Sequence, residues 1–143
     1  MNKLNRKKRL TEKSLYQFLK RCRLEIKKCE SAKAYLACIV LIGANLEYIL
    51  TAWIRAYPGV VYSGNKKITD RWDLKDLNDL AYKYGFINRR ALTASERIRK
   101  TRNMIHPNWY AGRKPIRFSK ELMDARNADF DIIMDSMMET FKQ

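Results

Sequence analysis

A chain of 143 residues, 46% of them hydrophobic, is long enough for one domain with a buried core and too apolar for a disordered tail. Thirty Lys and Arg against fifteen Asp and Glu leave a net charge of +15, which favours a polyanionic partner, either nucleic acid or an anionic membrane surface. An odd set of cysteines (Cys22, Cys29, Cys38) without a CxxC pair, together with a single histidine, argues against a disulfide framework and against a zinc site, and fits reduced thiols in the cytoplasm.

Residues 1–10 hold Lys3, Arg6, Lys7, Lys8 and Arg9 and read as a basic flexible arm, either a solvated tail or a source of extra phosphate contacts. No apolar segment follows directly, so the arm does not read as a signal peptide. Residues 11–143 read as a single helical domain. Thr11 can cap a first helix, in which Leu15, Phe18, Leu19, Cys22, Ile26 and Cys29 recur at helical spacing. A break is expected near Glu30–Ser31, with Ser31 capping a second helix that runs to about Tyr57 and stops at Pro58–Gly59. This second helix is apolar nearly all round and should be the most buried element. Ala34–Ile54 is about long enough to span a bilayer, but Asn45 and Glu47 interrupt it and Glu47 would be costly in lipid, so no membrane span is expected.

Pro58–Thr69 reads as a loop whose only strand signal is Val60-Val61-Tyr62. A third helix is expected over Asp70–Tyr84, with Trp72, Leu77, Leu80, Ala81 and Tyr84 facing inward and Gly85 as its stop. Thr93-Ala94-Ser95-Glu96 reads as a capping box, which starts a fourth helix that runs to His106 and packs through Ala94, Ile98, Thr101 and Ile105. Pro107 cannot continue it. After a loop over residues 107–118, Ser119 caps a last helix with Phe130, Ile133, Met134, Met137 and Phe141 on its core face. The sum is an all-α antiparallel bundle of four to five helices.

The charge is uneven. Residues 1–30 carry net +8 and residues 86–120 net +9, whereas residues 121–143 carry net −4. The second basic block supplies candidate RNA-binding residues: Arg89, Arg90, Lys100, Trp109, Tyr110, Arg113, Lys114 and Arg117. The acidic last helix reads as a solvated face or as one that packs against the basic elements.

Inside that block, Arg99, Arg102, Asn103 and His106 fall at i, i+3, i+4 and i+7, along one stripe of a helix and on the flank of its packing face. A titratable imidazole beside guanidinium groups suits a phosphodiester, because the arginine binds the phosphate and the histidine moves the proton. The alternative for His106 is a helix-end residue that bonds the last carbonyls, where a cation is also favoured by the helix dipole. Arg99 and Arg102 could equally be salt-bridge partners of Glu96 or Glu47.

Three segments resemble the HEPN superfamily of small α-helical domains. Cys38–Leu50 is similar to its second helix, an apolar run with small residues that ends in an acidic one. Trp72–Leu77 through Tyr84–Ile87 is similar to the helix and turn before the motif. Arg99–Pro107 is similar to the motif itself, an arginine and a histidine separated by four to six residues with a polar residue after the arginine. Arg102 is followed by Asn103, as the family prefers, but only three residues separate it from His106. Arg99 has the permitted separation but is followed by Lys100. The resemblance implies metal-independent RNA cleavage by a homodimer, without a cofactor. His106 would be the general base or acid, Arg102 or Arg99 would stabilise the phosphorane, Asn103 would orient the phosphate or bond the imidazole, and Glu47 would hold an arginine or tune His106. A toxin or defence effector with a cognate antitoxin or regulatory protein is one setting for such an enzyme. A non-catalytic nucleic-acid-binding or dimerisation module on the same fold is the alternative.

Overall fold

A computed structural model describes residues 12–56, 62–63, 66–67, 73–105 and 117–142. Among them, five helices pack into an all-α bundle: α1 (Glu12–Ser31), α2 (Tyr35–Ala56), α3 (Leu74–Lys83), α4 (Arg89–Asn103) and α5 (Lys120–Lys142). Between α2 and α3, strands β1 (Tyr62–Ser63) and β2 (Lys66–Lys67) form a minimal antiparallel ladder that pairs Tyr62 with Lys67 and Ser63 with Lys66. The strand signal was expected at Val60-Val61-Tyr62, so the ladder extends beyond it toward the C-terminus. The basic arm lies outside the described residues, as do Thr11 and Trp72.

Helix α2 touches each of the other four helices. Its Ile42, Leu46, Ile49, Leu50 and Ile54 are fully buried, against Ile26 of α1, Leu77 of α3, Ile98 of α4 and Phe130 of α5 in one continuous core. This helix is long and apolar enough to cross a membrane, yet half of that stretch is buried inside the bundle. It is not buried all round as its composition predicts. Leu36, Val40, Ala44 and Tyr48, each four residues apart, lie exposed along one face.

Several helix ends differ from the sequence reading, each for a local reason. Ser31 does not cap α2 but ends α1. Lys33 takes φ 55°, its N–H donates to Glu30 O (2.9 Å), and the Ala34 N–H donates to Cys29 O (3.0 Å). These two bonds close the α1 terminus in a Schellman turn, a motif that favours glycine at the left-handed position. The same motif ends α3 at Gly85 (φ 76°), where the Phe86 N–H reaches Ala81 O at 2.8 Å. Gly85 is thus the stop expected, but Tyr84 is exposed rather than inward.

Helix α3 starts at Leu74, not Asp70, because Asp73 caps it by accepting from the Asp76 N–H at 2.9 Å. Helix α4 starts at Arg89, not at Thr93. Asn88 caps it by accepting from the Ala91 N–H at 2.9 Å, and Thr93 is already interior, its hydroxyl donating to Arg89 O. At its far end α4 stops at Asn103 rather than His106, because the last turn tightens: the Ile105 N–H donates to Arg102 O, three residues back. Ser119 caps α5 as expected, accepting from the Leu122 N–H, and Phe130, Ile133, Met134 and Met137 form its buried face.

The three cysteines are free. Burial pushes the Cys38 thiol up to about 11, and the Cys38 thiol lies 3.9 Å from Ile26 O as a weak donor. It is a packing group and not a nucleophile.

Candidate functional site

Helix α4 is oriented by its buried face. Ala91, Ala94, Ser95, Ile98 and Thr101 recur at three- and four-residue spacing and face inward. Its start is tied to α5, since the Asn88 N–H donates to Ser136 Oγ at 2.9 Å. One flank is pinned to the same helix. Arg97 grips Asp129 with Nε and a terminal nitrogen, the shortest contact being 2.7 Å. Arg126 Nε lies 3.2 Å from the same carboxylate and another Arg126 nitrogen donates to Thr101 Oγ1 at 3.3 Å. Asp129 is only 4% exposed, so this network replaces the water its charge would otherwise need. Asp129 therefore serves packing, whereas Glu121, Asp124, Asp135 and Glu139 of the same helix are exposed. Asp131 pairs Arg23 of α1 at 3.1 Å.

With α4 held on that side, its other flank projects Arg99, Arg102 and Asn103 into a cleft of about 530 Å³. Val40 and Glu47 of α2, Asp73, Leu74 and Lys75 at the start of α3, and Ile105 complete the walls. The chemistry is mixed: three cationic groups over an apolar floor of Val40, Leu74 and Ile105, with two carboxylates at the edge.

Each arginine already has a partner. Arg102 donates directly to Glu47 Oε2, and both side chains are partly open to solvent, 42% and 34% exposed. The arginine stem runs over Gly43, one turn before Glu47 on α2. A Cβ at that glycine would stand 3.2 Å from Arg102 Cδ. Arg99 is held differently. Its Nε (2.9 Å) and a terminal nitrogen (2.7 Å) both donate to Glu96 Oε2, and Glu96 Oε1 accepts from Asn78 Nδ2 at 3.0 Å. Burial pushes the Glu96 carboxyl up, but the hydrogen bonds from Arg99 and Asn78 and the charges of Arg99 and Lys100 outweigh it, so the carboxyl ends below its ordinary value.

The structure thus brings together four of the five residues expected to form the catalytic set: Arg99, Arg102, Asn103 and Glu47. The fifth, His106, lies outside the described residues. The regular helical spacing that was to place it on the stripe ends at Asn103. Among the expected RNA-binding residues, Trp109, Tyr110, Arg113 and Lys114 also lie outside the described residues. Arg89 and Arg90 are exposed at the opposite end of α4, about 20 Å along the helix from Asn103. Lys100 and Arg117 are exposed and do not line the cleft.

Sequence reading missed Lys75, Gly43 and Asn78. Lys75 was hidden by the misplaced start of α3. Gly43 and Asn78 matter only through contacts made across helices. Among the described residues, no group of three His, Cys, Asp or Glu side chains could hold a metal ion.

A second groove, about 950 Å³, runs beside the N-terminal half of α2 between Glu25, Cys29, Leu36, Val40 and Phe118. Val40 belongs to both the groove and the cleft, so the exposed apolar face of α2 is continuous with the site. No family model, curated protein or solved structure matches this chain.

Proposed function

We propose that this protein is a HEPN-type, metal-independent endoribonuclease. The observation that carries the reading is the cleft itself: the end of α4 gathers Arg99, Arg102 and Asn103 beside Glu47, and its lining reaches Ile105, the residue before His106. Net charge +15 supplies the general attraction to a polyanion, and the cleft supplies a place where a phosphate meets two guanidinium groups.

The chemistry follows from an RNA-internal nucleophile. The 2′-oxygen attacks the adjacent phosphorus as its proton passes to a base, the bond to the 5′-oxygen breaks, and that oxygen takes a proton from an acid. The products are a 2′,3′-cyclic phosphate and a 5′-hydroxyl. Arginine stabilises the extra negative charge on the phosphorane, and His106 is the group suited to move protons near neutral pH. One histidine per chain supplies one such role, so two-histidine acid–base catalysis would require a second copy. The uncharged stripe Leu36, Val40, Ala44 and Tyr48 on α2 supports a homodimer that joins two clefts through this face. A toxin or defence effector, restrained by a cognate antitoxin or regulatory protein and active in the cytoplasm, is the setting this reading favours.

The second reading is a nucleic-acid-binding module without cleavage. It is favoured by the exposed cations outside the cleft, Arg89, Arg90, Lys100 and Arg117, which can meet phosphates while both cleft arginines hold carboxylates. The deciding experiment incubates EDTA-treated wild type and His106→Ala with a panel of labelled RNAs, followed by end-group analysis. Cleavage by wild type alone, leaving cyclic phosphate ends, supports the enzyme. Intact RNA throughout the panel, with an equal salt-sensitive gel shift for both proteins, moves the protein to the binding class.

A further inference from the structure

The two arginines of the cleft are held in physically different ways. Arg102 leans on one half-exposed carboxylate, Glu47, at the open side. Arg99 sits at the end of a three-residue chain that leads inward. Its guanidinium grips Glu96 with two nitrogens, the Glu96 carboxylate is backed by Asn78, and Asn78 is fully buried on α3. Asn78 occupies the apolar face of α3 between Leu77 and Leu80, both buried. Its carbonyl oxygen has no hydrogen-bond partner among the described residues, and its side-chain nitrogen faces Glu96. An amide buried with half its capacity unused costs stability that an apolar residue there would not. What it contributes is direction, because it fixes the second oxygen of Glu96 and so the plane in which Arg99 is gripped.

We propose that Asn78 is a positioning residue which, through Glu96, locks Arg99 in the cleft as its fixed anion-binding charge and leaves Arg102 as the arginine that changes partner when an anion arrives. The inference rests on the ribonuclease reading for the identity of the anion, an RNA phosphate, and deepens it by separating the roles of the two arginines. Gripping Glu96 uses one N–H of Nε and one of a terminal nitrogen, so three of the five guanidinium N–H groups stay available to a phosphate without any change of rotamer. Arg102 must instead exchange Glu47 for the phosphate. An immobilised donor loses less freedom when the ligand binds, and it meets the developing charge already in place.

The test uses the full chain as wild type, Asn78→Leu, Asn78→Ala, Arg99→Gln and the Asn78→Leu/Arg99→Gln double variant. Two quantities are read: the Nε–H cross-peak of Arg99 in ¹⁵N NMR, assigned by its loss in Arg99→Gln, and the affinity for a 2′-O-methyl octauridylate, which cannot be cleaved because its 2′-oxygens are blocked. In wild type the Arg99 cross-peak should persist against exchange with water, and in Asn78→Leu it should vanish. Affinity should fall about fivefold in Asn78→Leu, yet by less than about twofold when the same change is added to Arg99→Gln, since residues acting as one unit are not additive. A cross-peak that survives Asn78→Leu overturns the proposal, and so does an equal loss of affinity with and without Arg99. If Asn78→Leu does not fold, Asn78→Ala carries the test with the same cross-peak criterion, because it removes the same amide donor from Glu96. The two layers fail separately. RNA left uncut while the Arg99 results hold removes the nuclease reading alone, and RNA cut while they fail removes the positioning role alone.

Discussion

Gly43 and Arg102 are in direct apposition: the arginine stem crosses α2 where a Cβ would stand 3.2 Å from its Cδ. The contact explains why Arg102 lies flat against α2 with its guanidinium on Glu47, one helical turn beyond the glycine. In Gly43→Ala two effects oppose one another. Alanine improves the helix interior by about 0.5–1 kcal/mol, while the new methyl group displaces a flexible side chain. Stability in urea should therefore change little and RNA affinity should fall toward that of Arg102→Gln. A variant stabilised by the full helix gain with unchanged RNA affinity would mean that the glycine has no part in placing the arginine.

Glu47 competes with any anion for Arg102. Glu47→Gln should raise affinity for RNA, and because it adds one net positive charge it should steepen the dependence of affinity on salt. The pair is half-exposed, so its loss should cost no more than about 1 kcal/mol of stability. Titrations at several salt concentrations, read with chemical denaturation, check both halves. A weaker RNA complex in Glu47→Gln would show the carboxylate to be a support rather than a competitor.

Glu96 links folding to pH. Its carboxyl is held below its ordinary value in the folded chain, so the unfolded chain binds the proton more readily. The stabilisation is fully present above the ordinary carboxylate value and is lost as pH falls through the lowered one. Melting temperatures of wild type should decline over that acid window, and Glu96→Gln should show a shallower decline. Parallel acid limbs for the two proteins would contradict the assignment.

Lys33 occupies a left-handed position at φ 55° without being glycine. Lys33→Gly should keep the Schellman turn and stabilise the protein by roughly 0.5–1 kcal/mol, less the greater freedom of glycine in the unfolded chain. Urea midpoints at constant slope measure it. Destabilisation would mean that the lysine side chain, rather than the backbone, matters at this corner.

The exposed stripe of α2 predicts the last effect. Val40→Lys places a charge in the middle of it, where Val40 is 44% exposed and the core is untouched. On the proposed homodimer, the variant should fold as wild type does and sediment as a monomer at concentrations where wild type sediments as a dimer. Unchanged sedimentation would exclude this face as the dimer contact.

Local pattern was enough to define most of what is local. The three-and-four spacing of Leu19, Cys22 and Ile26, and of Phe130, Ile133, Met134 and Met137, marks core faces because apolar burial follows the helical period. Gly85 marks a stop because few other residues tolerate positive φ, and Ser119 marks a start because its oxygen replaces a missing backbone acceptor. Arg99, Arg102 and Asn103 share a side of one helix, and that is also a local property. Choices between rival local signals were not legible. Asn88 outranks the Thr93 box as the cap of α4 once Ser136 fixes the Asn88 backbone from α5, a residue 48 positions away.

What belongs to the tertiary structure is the pairing. The chain order offers Glu96 and Glu47 as partners for Arg99 and Arg102, but it does not say which takes which, that Asn78 stands behind Glu96, that Gly43 lies under Arg102, or that Arg97 pairs with Asp129. Charges attract at short range and without regard to sequence separation, so partners among thirty cations and fifteen anions are chosen only when packing has set which faces meet. The sequence alone determined that this is an all-α, strongly basic chain with Arg99, Arg102 and Asn103 on one side of a helix. The bundle decided which of those charges remain for a ligand, because burial of α2 and the anchoring of α4 on α5 bring residues from three helices to one cleft.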